Sequence, residues 1–180
     1  MRGFTLIELM VSTAIFVIIL TAGVPALGGM LANHHAKTSL SSLRSALVSA
    51  RTIALSRTQE TIVCPIINNE CVSDWNQPLA VFSDTNRNLT LEPDEILYLQ
   101  VSNEVQQGYW QKKRSTMNYI KFSPMGHAFG SATTFLYCPD SGKGIYGKQL
   151  VINFQGRIRT NSYLSSRGTP YAAVAPLSCL

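Results

Sequence analysis

The sequence predicts an α+β fold in which one long N-terminal helix packs on a mainly antiparallel β-sheet head. Three observations carry that expectation. Residues 9–32 form a run of 24 residues without a charged side chain. Beyond it, Leu40, Leu43, Leu47, Ala50 and Ala54 recur at alternating intervals of three and four, one face of an amphipathic helix. After about residue 58 that period fades, and short β-branched or aromatic segments alternate with turn clusters.

The chain has 180 residues, enough for one ordinary domain and an extension. With 46% hydrophobic residues it has the apolar surface for a core, which excludes disorder over most of its length. Only one uncharged stretch is long enough to span a bilayer, which excludes a polytopic membrane protein. The net charge of +5 is unevenly placed. Residues 1–60 carry +3, residues 61–110 carry −6, and residues 111–180 carry +8. A basic C-terminal third points to an anionic partner, nucleic acid or a membrane surface, against the alternative of a solvated basic face.

The uncharged run is about 36 Å long as a helix, enough for a hydrocarbon core of roughly 30 Å. Arg2 is the only basic residue before it, and the run is too long for a cleaved secretory signal. It reads as a retained membrane helix. Glu8, at its start, places a carboxylate near hydrocarbon, where such a group needs a partner or a role. Pro25 lacks an N–H and is expected to kink or locally melt the helix. In the amphipathic part, Arg44 and Arg51 are expected to project away from the packed face.

The string Met1-Arg2-Gly3-Phe4-Thr5-Leu6-Ile7-Glu8-Leu9 resembles the class III signal of type IV pilins and type II secretion pseudopilins. The resemblance implies cleavage between Gly3 and Phe4 by a prepilin peptidase and N-methylation of Phe4. Glu8 becomes the fifth residue of the mature chain, where pilins use a glutamate to neutralise the terminal amine of a neighbouring subunit. Opposite charges in a low dielectric attract strongly, and either alone is costly. Pro25 falls where pilins commonly carry a helix-bending proline. The expected organisation is a leader at 1–3, a transmembrane and assembly helix at 4–32, an amphipathic helix at 33–58 and a β-rich head at 59–180. The expected location is the inner membrane with a periplasmic head, and a pilus after assembly.

In the head, strands are expected around Thr61-Ile62-Val63, Ala80-Val81-Phe82, residues 95–99, residues 119–122, residues 134–137 and residues 149–154, in a sheet of five to seven strands. Cys64, Cys71, Cys138 and Cys179 allow three pairings. In an oxidising compartment the favoured ones are Cys64–Cys71 and Cys138–Cys179. Their spacing does not match the close pairs of a zinc site, and no metal is expected.

From Trp75 to Leu97 the residues Trp75, Val81, Phe82, Asp84, Asn86, Asn88, Asp94, Glu95, Ile96 and Leu97 resemble the GspH/FimT family of minor pilins and pseudopilins. The match continues through Phe122-Ser123-Pro124-Met125-Gly126 and Gly156-Arg157-Ile158-Arg159. It departs at Asn76-Gln77-Pro78, where the family usually has glycine-tryptophan, and at Leu89, where glycine is common. The segment 84–95 also has the oxygen ligands of a calcium loop, but Leu89 occupies its glycine position. No flanking helices are expected either, and an Asx-rich turn, whose side chains cap their own backbone, is the reading preferred.

If residues 157–159 are extended, Arg157 and Arg159 share a face, with Gly156 allowing a tight turn into it. Two guanidiniums suit successive phosphates. Lys143, Lys148 and Arg167 are candidate partners in that surface, with Lys112-Lys113-Arg114 and Lys121 further back and Tyr146, Tyr163 and Tyr171 for stacking. In the FimT-like branch this G-R-x-R motif is associated with DNA capture, which implies non-specific binding of double-stranded DNA during natural transformation. The alternatives are a tip-priming minor pilin or a type II secretion pseudopilin with a protein-binding head. No catalytic constellation and no cofactor-binding motif is present in the sequence, and no enzyme is expected.

Overall fold

A computed structural model describes residues 5–103, 105, 107–140 and 147–162, with only the backbone described at 22–26, 161 and 162. The chain forms two compact units, Met1–His34 and His35–Leu180. Helix α1, Leu6–Arg57, contributes to both.

In the first unit Thr5 and Glu8 cap α1 reciprocally. Glu8 Oε2 accepts from the Thr5 backbone N–H at 3.4 Å, and Thr5 Oγ1 accepts from Glu8 N–H at 3.4 Å. This is the Thr-x-x-Glu capping box. The hydroxyls of Ser12, Thr13 and Thr21 donate to carbonyls three or four residues back, which hides their polarity from an apolar surrounding. Leu6, Ile7, Leu9, Met10, Val11 and residues 15–20 are exposed. The helix continues through Pro25, so the expected local melting is not seen. A single proline removes one intrahelical hydrogen bond, which flanking turns can bridge. Among the described residues no helix is long and apolar enough to cross a membrane.

In the second unit, α1 buries one face. Ala36, Leu43, Ala46, Leu47, Ala50 and Ala54 are fully buried, with Leu40 and Ile53 at the margin. Each large side chain buried this way contributes about 1.5–3 kcal/mol. The face meets two sheets, where one had been expected. β1 (Thr61–Ile67) pairs antiparallel with β2 (Glu70–Cys71), β3 (Leu79–Phe82) and β6 (Ile120–Phe122), and β3 pairs with β4 (Leu97–Val101). The second sheet runs β5-β7-β8-β9, from Gly108–Lys113, Thr133–Pro139, Lys148–Ile152 and Ile158–Ser162. Val63, Leu79, Val81 and Phe122 of the first sheet and Trp110, Phe135, Tyr137 and Leu150 of the second share one core with the helix.

β1 is buried on both faces over residues 61–66. Its far face, Ile62, Cys64 and Ile66, packs with Ala80 and Phe82 under Leu89 and Leu91 of the loop after β3. Cys64 and Cys71 form a disulfide with Cα atoms 5.5 Å apart, as expected. Cys138 is also disulfide-bonded, and its expected partner Cys179 lies outside the described residues.

Candidate functional site

The β8–β9 hairpin carries the arginine motif. Ile152 pairs with Ile158, closing a five-residue loop over 153–157. Asn153 opens a turn whose carbonyl accepts Gly156 N–H at 2.9 Å, and its Oδ1 accepts Arg157 N–H at 2.8 Å. Asparagine first and glycine last is the composition such turns favour. Gly156 is buried with a φ of 71°. A Cβ there would be driven into the Gly126 carbonyl oxygen and would lie 3.1 Å from Arg51 Nε.

Arg51 explains that crowding. Its Nε donates to Gly126 O at 3.0 Å and its Nη2 to Gln155 O at 3.1 Å. The Gly126 turn is itself closed by Gly126 N–H donating to Ser123 O at 2.7 Å. The Gly126 turn and residues 155–156 of the hairpin, about thirty residues further on, thus meet under one helix arginine. The expectation that Arg51 projects away is corrected: at i+4 from Leu47 and i−3 from Ala54 it flanks the packed face closely enough to reach the head.

Arg157 and Arg159 are exposed while Ile158 between them packs against the core. That alternation puts both guanidinium-bearing side chains on the outer side, with Cα atoms about 6.6 Å apart. Neither makes an ion pair among the described residues, where the ion pairs are Arg87–Glu60 at 3.5 Å and Lys121–Glu60 at 3.6 Å. Across the sheet Arg159 stands opposite Val151, Val151 opposite Thr134, and Thr134 opposite Lys113. Direct cross-strand neighbours share a face. Lys113 therefore joins the arginine face, with its backbone about 14 Å from that of Arg159.

Lys148 does not join it. It is on the core face with Leu150 and Ile152, retains only 9% of its surface, and sits three residues along β8 from the partner of Arg159. Burial, with repulsion from Lys37 added, lowers its pKa. Lys112 also faces inward, its Nζ 5.6 Å from the Trp75 ring, and burial lowers its pKa. Strand alternation separates Lys112 from Lys113 although they are adjacent in sequence. Lys121 is held by Glu60. Lys143, Arg167, Tyr146, Tyr163, Tyr171, Gly3 and Phe4 lie outside the described residues. Arg114, exposed at the end of β5, and Phe154 in the hairpin loop border the same region.

Within the loop 84–95, Asp84, Glu92 and Glu95 accept hydrogen bonds from the loop itself. Asp84 accepts from the N–H groups of Asn88 and Leu89, both at 3.1 Å, and Glu95 accepts from Thr85 N–H at 2.8 Å. This is the Asx-rich turn. Leu89 takes the glycine conformation, with a φ of 61°, and half-buries its side chain against the cluster on the far face of β1. No group of three or more His, Cys, Asp or Glu among the described residues is arranged to hold a metal.

A family model described as type II transport protein GspH matches residues 39–156, and one described as the prokaryotic N-terminal methylation motif matches residues 1–24. Two crystal structures of the type IV minor pilin FimU of Pseudomonas aeruginosa (strain PAO1) are similar to this chain. Their TM-scores are 0.54 and 0.52, at 18% and 19% identity. Each covers 69% of this chain, over 87% and 91% of its own length. At that identity the likeness is one of fold. No curated protein matches the chain.

Proposed function

The chain belongs to the GspH family, and from that premise we propose that it is a minor-pilin subunit whose β8–β9 hairpin binds DNA. The family and the FimU-like fold are those of minor type IV pilins and pseudopilins, structural subunits and not enzymes. Such subunits assemble with other pilins. The N-terminal methylation motif fits processing after Gly3 and methylation of Phe4. The exposed apolar side chains of residues 6–20 then sit in the inner membrane before assembly and among neighbouring helices after it. Glu8, solvent-facing at the start of α1, is available to a neighbour's terminal amine.

The single observation that carries DNA binding is the exposure of Arg157 and Arg159 on one side of an anchored hairpin, without an acidic partner among the described residues. Guanidiniums in that arrangement contact phosphates and ignore sequence. The full-length protein in detergent is expected to bind short double-stranded DNA at low salt. The Arg157→Ala/Arg159→Ala variant is expected to lose at least tenfold in affinity while keeping its circular dichroism spectrum. Unchanged affinity in that variant refutes the role of the motif.

A second reading keeps the family and changes the partner: a tip subunit that primes assembly, or its secretion-system counterpart, with the same two arginines contacting an acidic segment of another subunit. Loss of co-purifying pilins, rather than of DNA, from the double variant supports that reading.

A further inference from the structure

A cleft of about 310 Å³ lies beside the hairpin, and Arg114, Thr134, Val151 and Phe154 line it. Its size is at the small end of ligand pockets and suits a single aromatic heterocycle. Phe154 leaves 62% of its surface exposed. Its backbone carbonyl accepts Ala128 N–H at 2.9 Å, so the loop is anchored while the ring is left in solvent. Nothing in the turn geometry asks for an aromatic there. Val151, which lines the cleft, is the register neighbour of Arg159. The cleft therefore has one exposed ring and Arg114 in its lining, with Arg157 and Arg159 adjoining.

Duplex DNA keeps its base faces inside the stack, so an open phenylalanine reaches one there only by unstacking a base step, at a cost of about a few kcal/mol. A single strand offers both phosphates and π-faces. Aromatic platforms set among cations are the usual way of holding it. We propose that this cleft takes one unpaired base of a DNA single strand, with Phe154 as the stacking face, Arg114 as a cation at the same cleft, and Arg157 and Arg159 on the flanking phosphates. The inference rests on the DNA-binding reading above and narrows its ligand.

The test uses full-length protein in detergent and three labelled DNAs of about 16 nucleotides. These are a natural single strand, the same strand with abasic sites, and the duplex. The natural strand is expected to bind about tenfold more tightly than the abasic strand, which carries the same phosphates. Phe154→Ala is expected to erase that difference, and Phe154→Trp to retain it. Equal affinity for natural and abasic strands, with both lost in Arg157→Ala/Arg159→Ala, overturns the base cleft and leaves phosphate binding standing. Absence of binding to all three DNAs overturns both. Unaltered single-strand affinity in Phe154→Ala, with weakened binding to a second pilin, assigns the ring to a protein contact and also overturns the proposal.

Discussion

Single residues explain why this hairpin has its sequence. Gly156 and Gly130 both have positive φ, 71° and 77°. A Cβ at 130 would meet only the flexible end of Met117, at 3.3 Å, whereas one at 156 meets the Gly126 backbone. Gly130→Ala is therefore expected to cost about 1 kcal/mol, the left-handed penalty alone. Gly156→Ala is expected to cost at least twice that, because backbone must move, and to weaken DNA binding as well. Urea unfolding of both variants checks the contrast, and equal costs would contradict it. Lys148→Met tests the buried lysine. Folded Lys148 holds its proton less tightly than the unfolded chain does, mainly through burial. Stability should consequently rise with pH between its lowered pKa and the ordinary value of 10.5. Lys148→Met is expected to add about 1 kcal/mol at pH 7, to flatten that rise to the part owed to Lys112, and to leave DNA affinity unchanged. A loss of DNA affinity would return Lys148 to the binding surface. The sequence showed that a lysine stood near the motif, but its direction depends on strand register, which composition does not contain.

Elements were legible to different degrees, for identifiable reasons. The packed face of α1 was readable because Leu43, Leu47, Ala50 and Ala54 keep helical spacing, and all four are fully buried. The strand β5 was not anticipated. Gly108–Lys113 ends in two lysines that look like surface, yet Lys112 turns inward, with its Nζ over the Trp75 ring. β9 is legible only as a conditional extension of the motif, because Arg159, Thr160 and Asn161 have no apolar alternation. The capping box is legible as Thr-x-x-Glu, a second role for Glu8 beside the assembly role that the pilin resemblance implies. Arg51 is the element-scale link between α1 and the hairpin. Arg51→Ala removes both carbonyl contacts and is expected to destabilise the second unit by about 1–2 kcal/mol. It is also expected to reduce DNA affinity, since residues 155–157 lose their anchor. Arg51→Lys, with its charge but without the planar fork, should recover only part of either. Full DNA affinity in Arg51→Ala would show that the hairpin holds its own conformation.

At the scale of the whole molecule, the charge asymmetry of the sequence resolves into a smaller set of available cations. Of the basic residues in 111–180 that are described, Lys112 and Lys148 turn inward and Lys121 is tied to Glu60. Lys113, Arg114, Arg157 and Arg159 remain on or beside one face. The family and fold could be read from the N-terminal string and the head motifs together, whereas the surface could not be read from net charge. The central claim is that Arg157 and Arg159 neutralise DNA phosphates, and its most direct test is the salt dependence of double-stranded DNA binding by the full-length protein and its Arg157→Ala/Arg159→Ala variant. Each phosphate contact contributes about 0.9 to the slope of log affinity against log salt. The account predicts that the variant's slope is shallower by about 1.8. Identical slopes and affinities for the two proteins would contradict it.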